Sequence, residues 1–246
     1  MKKTDLALIE KRALTQDIFE LKLSGDLSAF TAAGQFVNLA LSGLYLRRPI
    51  SVCDINENVL TLIVRVVGAG TKELVLSEIG TRFDALTGLG NGYTAETGGK
   101  APVLVGGGVG VPPLYYLAKR LLGAGISPTV ALGFNDKSDI FYVDEFRALG
   151  LSVFLSTVDG SAGTKGFVTD AIKQIAPLPD YAFCCGPEPM LKAVYDLPFI
   201  AGGQFSFEAR MGCGFGACMG CTCKTKYGSK RICVDGPVLK KEEIIW

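Results

Sequence analysis

Five of the eight cysteines of this chain crowd into its last stretch, as Cys213, Cys218, Cys221, Cys223 and Cys233. Four of them form the series Cys213-x4-Cys218-x2-Cys221-x11-Cys233, and the first three have the plant-type spacing used for 2Fe-2S clusters. Gly212 precedes the first thiol, and Gly214, Gly216 and Gly220 stand between the thiols. Glycines there let the backbone curl around inorganic sulfides and aim amide N–H groups at them. The fourth ligand can arrive from further along, because it closes the other iron. A four-cysteine structural zinc is the alternative, but zinc sites more often use two C-x2-C knuckles and this segment has one. Cys223 is either a spare thiol beside the loop or a replacement for Cys221 as ligand.

A thiol cluster of this kind belongs in a chain with its own core, and the composition provides one. The 246 residues are 48% hydrophobic and 20% charged, the balance of a globular protein. At about 150 residues per domain, two modules and an appendage are expected. Twenty-five basic and 24 acidic residues nearly cancel, which argues against a nucleic-acid or anionic-membrane surface. Histidine is absent, so an imidazole base, a His-ligated metal and a Ser-His-Asp triad are excluded within this chain. Met1-Lys2-Lys3 is followed by Asp5, Glu10, Lys11 and Arg12 rather than by an apolar run, and a cytosolic start is expected. The uncharged run Ala101–Ala118 holds four Gly and three Pro, which is wrong for a membrane helix.

Three stretches follow different rules. Residues 1–97 read as β: Asp17–Leu23 alternates polar and apolar, and Val59–Val67 is rich in β-branched residues. Short strands between Gly, Asn and Asp clusters suggest a closed barrel, with one helix predicted from Thr71 to about Ile79 and Thr71 as its N-cap. Residues 98–203 read as α/β. Apolar strands at Val103–Val105, Thr129–Leu132, Ser152–Leu155 and Tyr181–Cys185 alternate with helices at Pro112–Leu122, Val168–Ile175 and Glu188–Tyr195, which implies a parallel sheet. Residues 204–246 are Gly- and Cys-rich with little periodic pattern and need a staple.

Two kinds of anion site are legible. Arg47-Arg48-Pro49-Ile50-Ser51 follows an apolar strand. Arg48 can clamp a pyrophosphate with its planar fork, Pro49 stiffens the backbone, and Ser51 can offer a hydroxyl to a ring nitrogen. Arg65 is a lone charge after Ile63 and Val64, and Gly68-Ala69-Gly70-Thr71 then opens a helix, a ready anion site. Two arginines and a helix N-terminus on a barrel suit a flavin dinucleotide. In the second stretch, Gly106-Gly107-Gly108-Val109-Gly110 lies between a strand and a helix, the context of dinucleotide binding, with Val111 in place of the third fingerprint glycine. Cys185-Gly186-Pro187 ends a later strand, where Gly186 lets a nicotinamide approach and the Cys185 thiol either faces it or packs in the core. Phe134-Asn135-Asp136-Lys137 carries no Arg for a 2′-phosphate, which tilts the reading towards NAD.

In this order the pieces resemble the ferredoxin reductase family of flavoproteins, and the resemblance implies an FAD-binding β-barrel followed by an NAD-binding α/β domain. Arg48-Pro49-Ile50-Ser51 resembles the family's Arg-x-Tyr-Ser flavin motif, with Ile50 where many members have Tyr. Cys185-Gly186-Pro187-Glu188-Pro189-Met190 resembles its nicotinamide motif. The tail motif Arg210–Cys221, with Cys233–Val238, narrows the likeness to electron-transfer subunits of NAD-linked (type B) dihydroorotate dehydrogenases. That likeness implies flavin contacts at Arg48, Pro49, Ile50, Ser51, Ile63, Val64, Arg65, Gly70 and Thr71, and cluster ligands at Cys213, Cys218, Cys221 and Cys233. Small subunits of NADH-dependent ferredoxin:NADP reductases are similar throughout, but typically have Asp at the position of Cys213. Sulfide- and sulfite-linked subunits are further relatives.

The expected activity is therefore that of an oxidoreductase component in pyrimidine biosynthesis, passing electrons from cluster to FAD to NAD+. No span is left for a substrate barrel of about 250 residues. The resemblance places dihydroorotate oxidation on an FMN-containing catalytic subunit, in a heterotetramer with two of each subunit. Met211, Phe215 and Met219 are the expected docking face. A zinc-stapled interaction module is the non-enzymatic alternative.

Overall fold

A computed structural model describes residues 1–95 and 99–246. Its first half is built from strands whose alternate residues turn inward. These are β1 (Lys2–Ala13), β2 (Ile18–Ser24), β3 (Phe36–Leu39), β4 (Arg48–Asn56), β5 (Val59–Arg65) and β6 (Arg82–Leu89). All pair antiparallel and close in the order β1-β2-β5-β4-β3-β6. Leu6, Leu8, Leu21, Leu39, Leu60 and Leu62 fill the interior with no exposed surface.

Helix α1 (Ala69–Leu76) lies between β5 and β6. It begins earlier than the predicted Thr71 and ends before Ile79. Thr71 is not the N-cap: Gly68 holds that place, and the Thr71 hydroxyl reaches back to accept from the amides of Val67 at 2.9 Å and Gly68 at 3.2 Å. The hydroxyl satisfies orphan donors from the third helical position instead of the first.

The second half is a seven-stranded sheet in the order β10-β9-β8-β7-β11-β12-β15. Its strands are β7 (Pro102–Gly107), β8 (Thr129–Phe134), β9 (Val153–Thr157), β10 (Thr164–Lys165), β11 (Tyr181–Cys185), β12 (Gly202–Ser206) and β15 (Val238–Lys240). All pairs are parallel except β12 with β15. The covering helices are α2 (Pro112–Gly123), α3 (Val143–Ala148), α4 (Val168–Ile172) and α5 (Glu188–Tyr195). Helix α4 stops short of the predicted Ile175, and α3 has no counterpart in the sequence reading. Strand order reverses between β7 and β11, the point at which open α/β sheets bind ligands.

The expected domain boundary at 97/98 lies outside the described residues, and the one at 203/204 falls inside β12. The tail is more regular than its sequence suggests. A hairpin, β13 (Thr222–Thr225) with β14 (Gly228–Arg231), stands apart from the large sheet, and β15 adds the seventh strand to it.

Barrel and sheet share one apolar cluster that includes Ile18, Cys53 and Ile63 from the barrel with Leu114, Leu117 and Phe183 from the second unit. A buried polar latch crosses the same seam. The Tyr142 hydroxyl donates to Glu20 at 2.7 Å, and Arg12 donates twice to the same carboxylate, at 2.8 and 2.9 Å. Lys119 on α2 pairs with Asp54 on β4 at 2.7 Å.

Burial disfavours the Glu20 carboxylate, but its bonds from Arg12 and Tyr142 outweigh that and hold its pKa below the usual carboxylate value. The folded value is the lower one, so this stability is present above an ordinary Glu pKa and is lost as pH falls through the folded value. Glu20→Gln should lower unfolding stability by about 1–3 kcal/mol near neutral pH, and flatten the acid limb of a pH series of thermal melts. Melts that match wild type at every pH would contradict the latch.

Candidate functional site

The tail brings its thiols together in twos. The Cys218 amide donates to the Cys213 sulfur at 3.4 Å, and the two thiols lie within hydrogen-bond reach. The Cys233 amide donates to the Cys221 sulfur at 3.4 Å, and those thiols also touch. Burial opposes a Cys213 thiolate, yet amides of Cys218, Phe215 and Ala217 and the Cys218 thiol prevail, bringing its pKa down to about 6. Burial first, and then the Cys221 thiol, push Cys233 up to about 12. Among the described residues, no three His, Cys, Asp or Glu side chains converge closely enough to hold one ion. Two pairs of thiols suit a binuclear iron–sulfur cluster, which takes two thiolates per iron, better than a single tetrahedral zinc. Cys223 lies on β13, half-buried beside the apolar packing under the hairpin.

This loop is tied to the barrel at both ends. Asn38 on β3 donates to the Cys213 carbonyl at 3.1 Å. Asn91, just past β6, donates to the carbonyls of Val238 at 2.8 Å and Asp235 at 3.2 Å and accepts from the Val238 amide at 3.1 Å. Arg231 adds a bond to the Gly216 carbonyl at 3.2 Å and pairs with Asp235.

Strand β4 carries the arginine-containing motif next to β3. Arg48, Pro49 and Ile50 are half-buried and Ser51 is exposed. The Arg48 guanidinium lies so close over the start of α1 that a Cβ at Gly70 would overlap it. Its only bonds among the described residues go to the carbonyls of Leu46 and Arg47. A cation with no carboxylate partner, held against the positive end of a helix, fits an anion such as a pyrophosphate. Thr71 sits in that first turn. Arg65, by contrast, is paired with Asp17 at 2.7 Å. Ile63 and Val64 are buried in apolar packing, so the backbone is what each can offer a ligand.

A cleft of 570 Å³ opens where the strand order reverses. Gly107, Gly108, Gly110 and Gly186 form one wall, and Ile18 and Arg65 of the barrel reach its edge. The two glycine turns are pressed together: a Cβ at Gly110 would overlap the Cys185 carbonyl and the Gly186 amide. Gly106 lies off the cleft wall and instead lets Val111 and Leu114 approach β7. Cys185 is also off the wall, buried, and burial pushes its thiol up to about 12. At the far end the Asn135 amide donates to Asp139 at 3.0 Å, both lining the cleft.

Residues 208–245 match the family model described as the iron-sulfur cluster binding domain of dihydroorotate dehydrogenase B. The whole chain is similar to the dihydroorotate dehydrogenase B (NAD(+)) electron transfer subunit of Bacillus pumilus, at 44% identity over 99% of this chain and 98% of the relative. It is similar to the Fusobacterium nucleatum subunit of the same name at 42% identity, covering 99% of each. The chain belongs to this family of electron transfer subunits. Among solved structures, an NADH-dependent reduced ferredoxin-NADP oxidoreductase, reported in connection with flavin-based electron bifurcation, superposes with a TM-score of 0.88 at 33% identity, over 98% of this chain and 90% of that one. Phthalate dioxygenase reductase shares the fold, with a TM-score of 0.65 at 21% identity, over 80% and 64% of the two chains.

With the family in view, three residues absent from the sequence reading gain weight. Asn38 and Asn91 hold the thiol loop, and Glu208 adds a carboxylate to the cleft wall. Each stands outside any spacing motif. Glu208 alone had a signal, as an acidic residue two positions past the last parallel strand. Cys221→Ser should abolish bound iron, whereas Cys223→Ser should keep wild-type iron and sulfide by chemical analysis. The reverse pattern would move the ligand to Cys223. Gly110→Ala should weaken NADH binding at least tenfold in a fluorescence titration, and unchanged binding would displace the nicotinamide from this cleft.

Proposed function

We propose that this chain is the NAD-linked redox component of dihydroorotate dehydrogenase B, holding a 2Fe-2S cluster in its tail, FAD on its barrel and NAD+ in its cleft. The observation that carries the reading is the seating of the two thiol pairs, through Asn38, on the barrel strand next to the Arg48–Ser51 motif. When bound, FAD supplies the conversion between single electrons and a hydride that neither a cluster nor nicotinamide can make alone.

The chain's own residues bind, orient and shield. Cys213 with Cys218, and Cys221 with Cys233, would hold the two irons. Amides around Cys213 favour its thiolate. Arg48 and the first turn of α1 would take the pyrophosphate, and Pro49, Ile50 and Ser51 would underlie the flavin ring. Gly107, Gly110 and Gly186 leave room for the nicotinamide against backbone at the switch point. The fused apolar seam and the Tyr142–Glu20–Arg12 latch fix the cleft relative to the barrel.

Substrate oxidation falls to a catalytic partner. We assign that partner an FMN and a heterotetramer of two subunits of each kind. Barrel, sheet and tail occupy the chain, which has no histidine to act as a base. The docking face is the rim of the thiol loop, where Phe215 is 44% and Met219 56% exposed beside the exposed Cys218, with Met211 half-buried behind them. Exposed apolar groups around a redox centre suit a protein surface rather than water. Among the described residues no helix is long and apolar enough to cross a membrane.

The test is anaerobic co-purification with the FMN-bearing partner, followed by dihydroorotate-dependent reduction of NAD+. Turnover by the pair and none by either chain alone is expected. Reduction of NAD+ only with ferredoxin, or with sulfide, would reassign the donor. Phe215→Glu should reduce co-purification of the partner several-fold, and full recovery would remove this face from the interface.

A further inference from the structure

Asn38 is nine-tenths or more buried, at 1% exposure, and only half satisfied. Its Nδ2 donates to the Cys213 carbonyl, while its Oδ1 is buried with no donor in reach among the described residues. A buried acceptor left unpaired destabilises a fold, and an apolar residue of the same shape would avoid the loss. Asn91 is the instructive contrast, because its carbonyl and amide are both engaged by the tail.

The placement of Asn38 is specific. In the antiparallel β3–β4 pair it stands directly across from Pro49, so the two side chains leave the sheet on one face. The neighbouring pair on that face is Phe36 with Ser51. Phe36 packs in the cluster that also holds Cys221, Ile232 and Cys233. One face of two adjacent strands therefore meets the flavin motif on one side and the thiol loop on the other, with Asn38 between them.

The loop is also shaped around this side chain. Gly214, next to Cys213, has φ +79°, and a Cβ there would overlap the Asn38 amide nitrogen. Any other residue at 214 would both strain the backbone and force the loop away from β3.

We propose that Asn38 is a positioning residue for electron transfer, fixing the Cys213 end of the thiol loop at a set distance from the flavin strand. The inference rests on the cofactor assignment above. Electron tunnelling falls exponentially with distance, so a small retreat of the loop slows transfer between flavin and cluster without removing either. The amide is retained for that register despite its unpaired oxygen.

The experiment compares wild type, Asn38→Leu and Asn38→Asp, each purified anaerobically as the full chain with bound FAD. Leu removes the donor and the orphan acceptor together. Asp keeps the shape but sets a carboxylate against the Cys213 carbonyl. Asn38→Leu should melt no lower than wild type and keep its iron, sulfide and flavin. Its reduced-cluster EPR spectrum should shift, and on mixing with NADH its cluster should lag its flavin at least tenfold more than in wild type. Should the Leu variant not fold, the Asp variant is expected to show the same two changes. Wild-type EPR spectra and wild-type lag in the variants that fold would overturn the inference. Wild type that binds no iron or no flavin would instead overturn the cofactor assignment, and this inference with it.

Discussion

The structure depends on how a glycine- and cysteine-rich tail is held. Residues past β12 bury few apolar side chains of their own, and a segment of that kind does not order itself. It borrows order from both larger units. Strand β15 pairs with β12 and extends the sheet, while Asn38 and Asn91 bind its backbone to the barrel. The thiols are thereby presented from a loop fixed at both ends. The Asn38 bond seats the thiol loop on β3, the neighbour of the strand that bears Arg48.

Electrostatics reinforces that arrangement with small means. The chain is nearly neutral overall, so binding must come from local placement. Among the described residues Arg48 pairs with no carboxylate and is set over a helix N-terminus, while Arg65, on the neighbouring strand β5, is neutralised by Asp17. One arginine is poised for an anion and the other is committed to the protein. At the cleft, two glycine turns in close contact line one wall with backbone where the strand order reverses, alongside the charged Arg65, Asp139 and Glu208.

Much of this was legible in the sequence because it follows local rules. The 2-residue period of β2, the β-branched run of β5 and the strand–glycine–helix order around Gly106–Gly110 each report a single element. The cysteine spacing singled out the four thiols for the same reason, but their grouping in twos is visible only in the fold. What the sequence did not disclose is tertiary. Strand β15 is three residues long and has no pattern until β12 is beside it. Helix α3 follows a left-handed Tyr142 held by Glu20, 122 positions away in the chain. Thr71 was misplaced as an N-cap because its hydroxyl does a cap's work from one turn inside. Gly106 carries the motif's identity but packs a helix, a distinction only the fold can draw.

If the paired thiols hold a cluster in electronic contact with a flavin on the barrel, anaerobic titration of the isolated chain with NADH, followed by visible and EPR spectroscopy, will show it. The flavin should bleach and a reduced 2Fe-2S signal should grow in, with a single unpaired electron per chain and about two irons bound. A colourless protein, or a flavin that bleaches beside a cluster that never takes an electron from it, would rule out that contact.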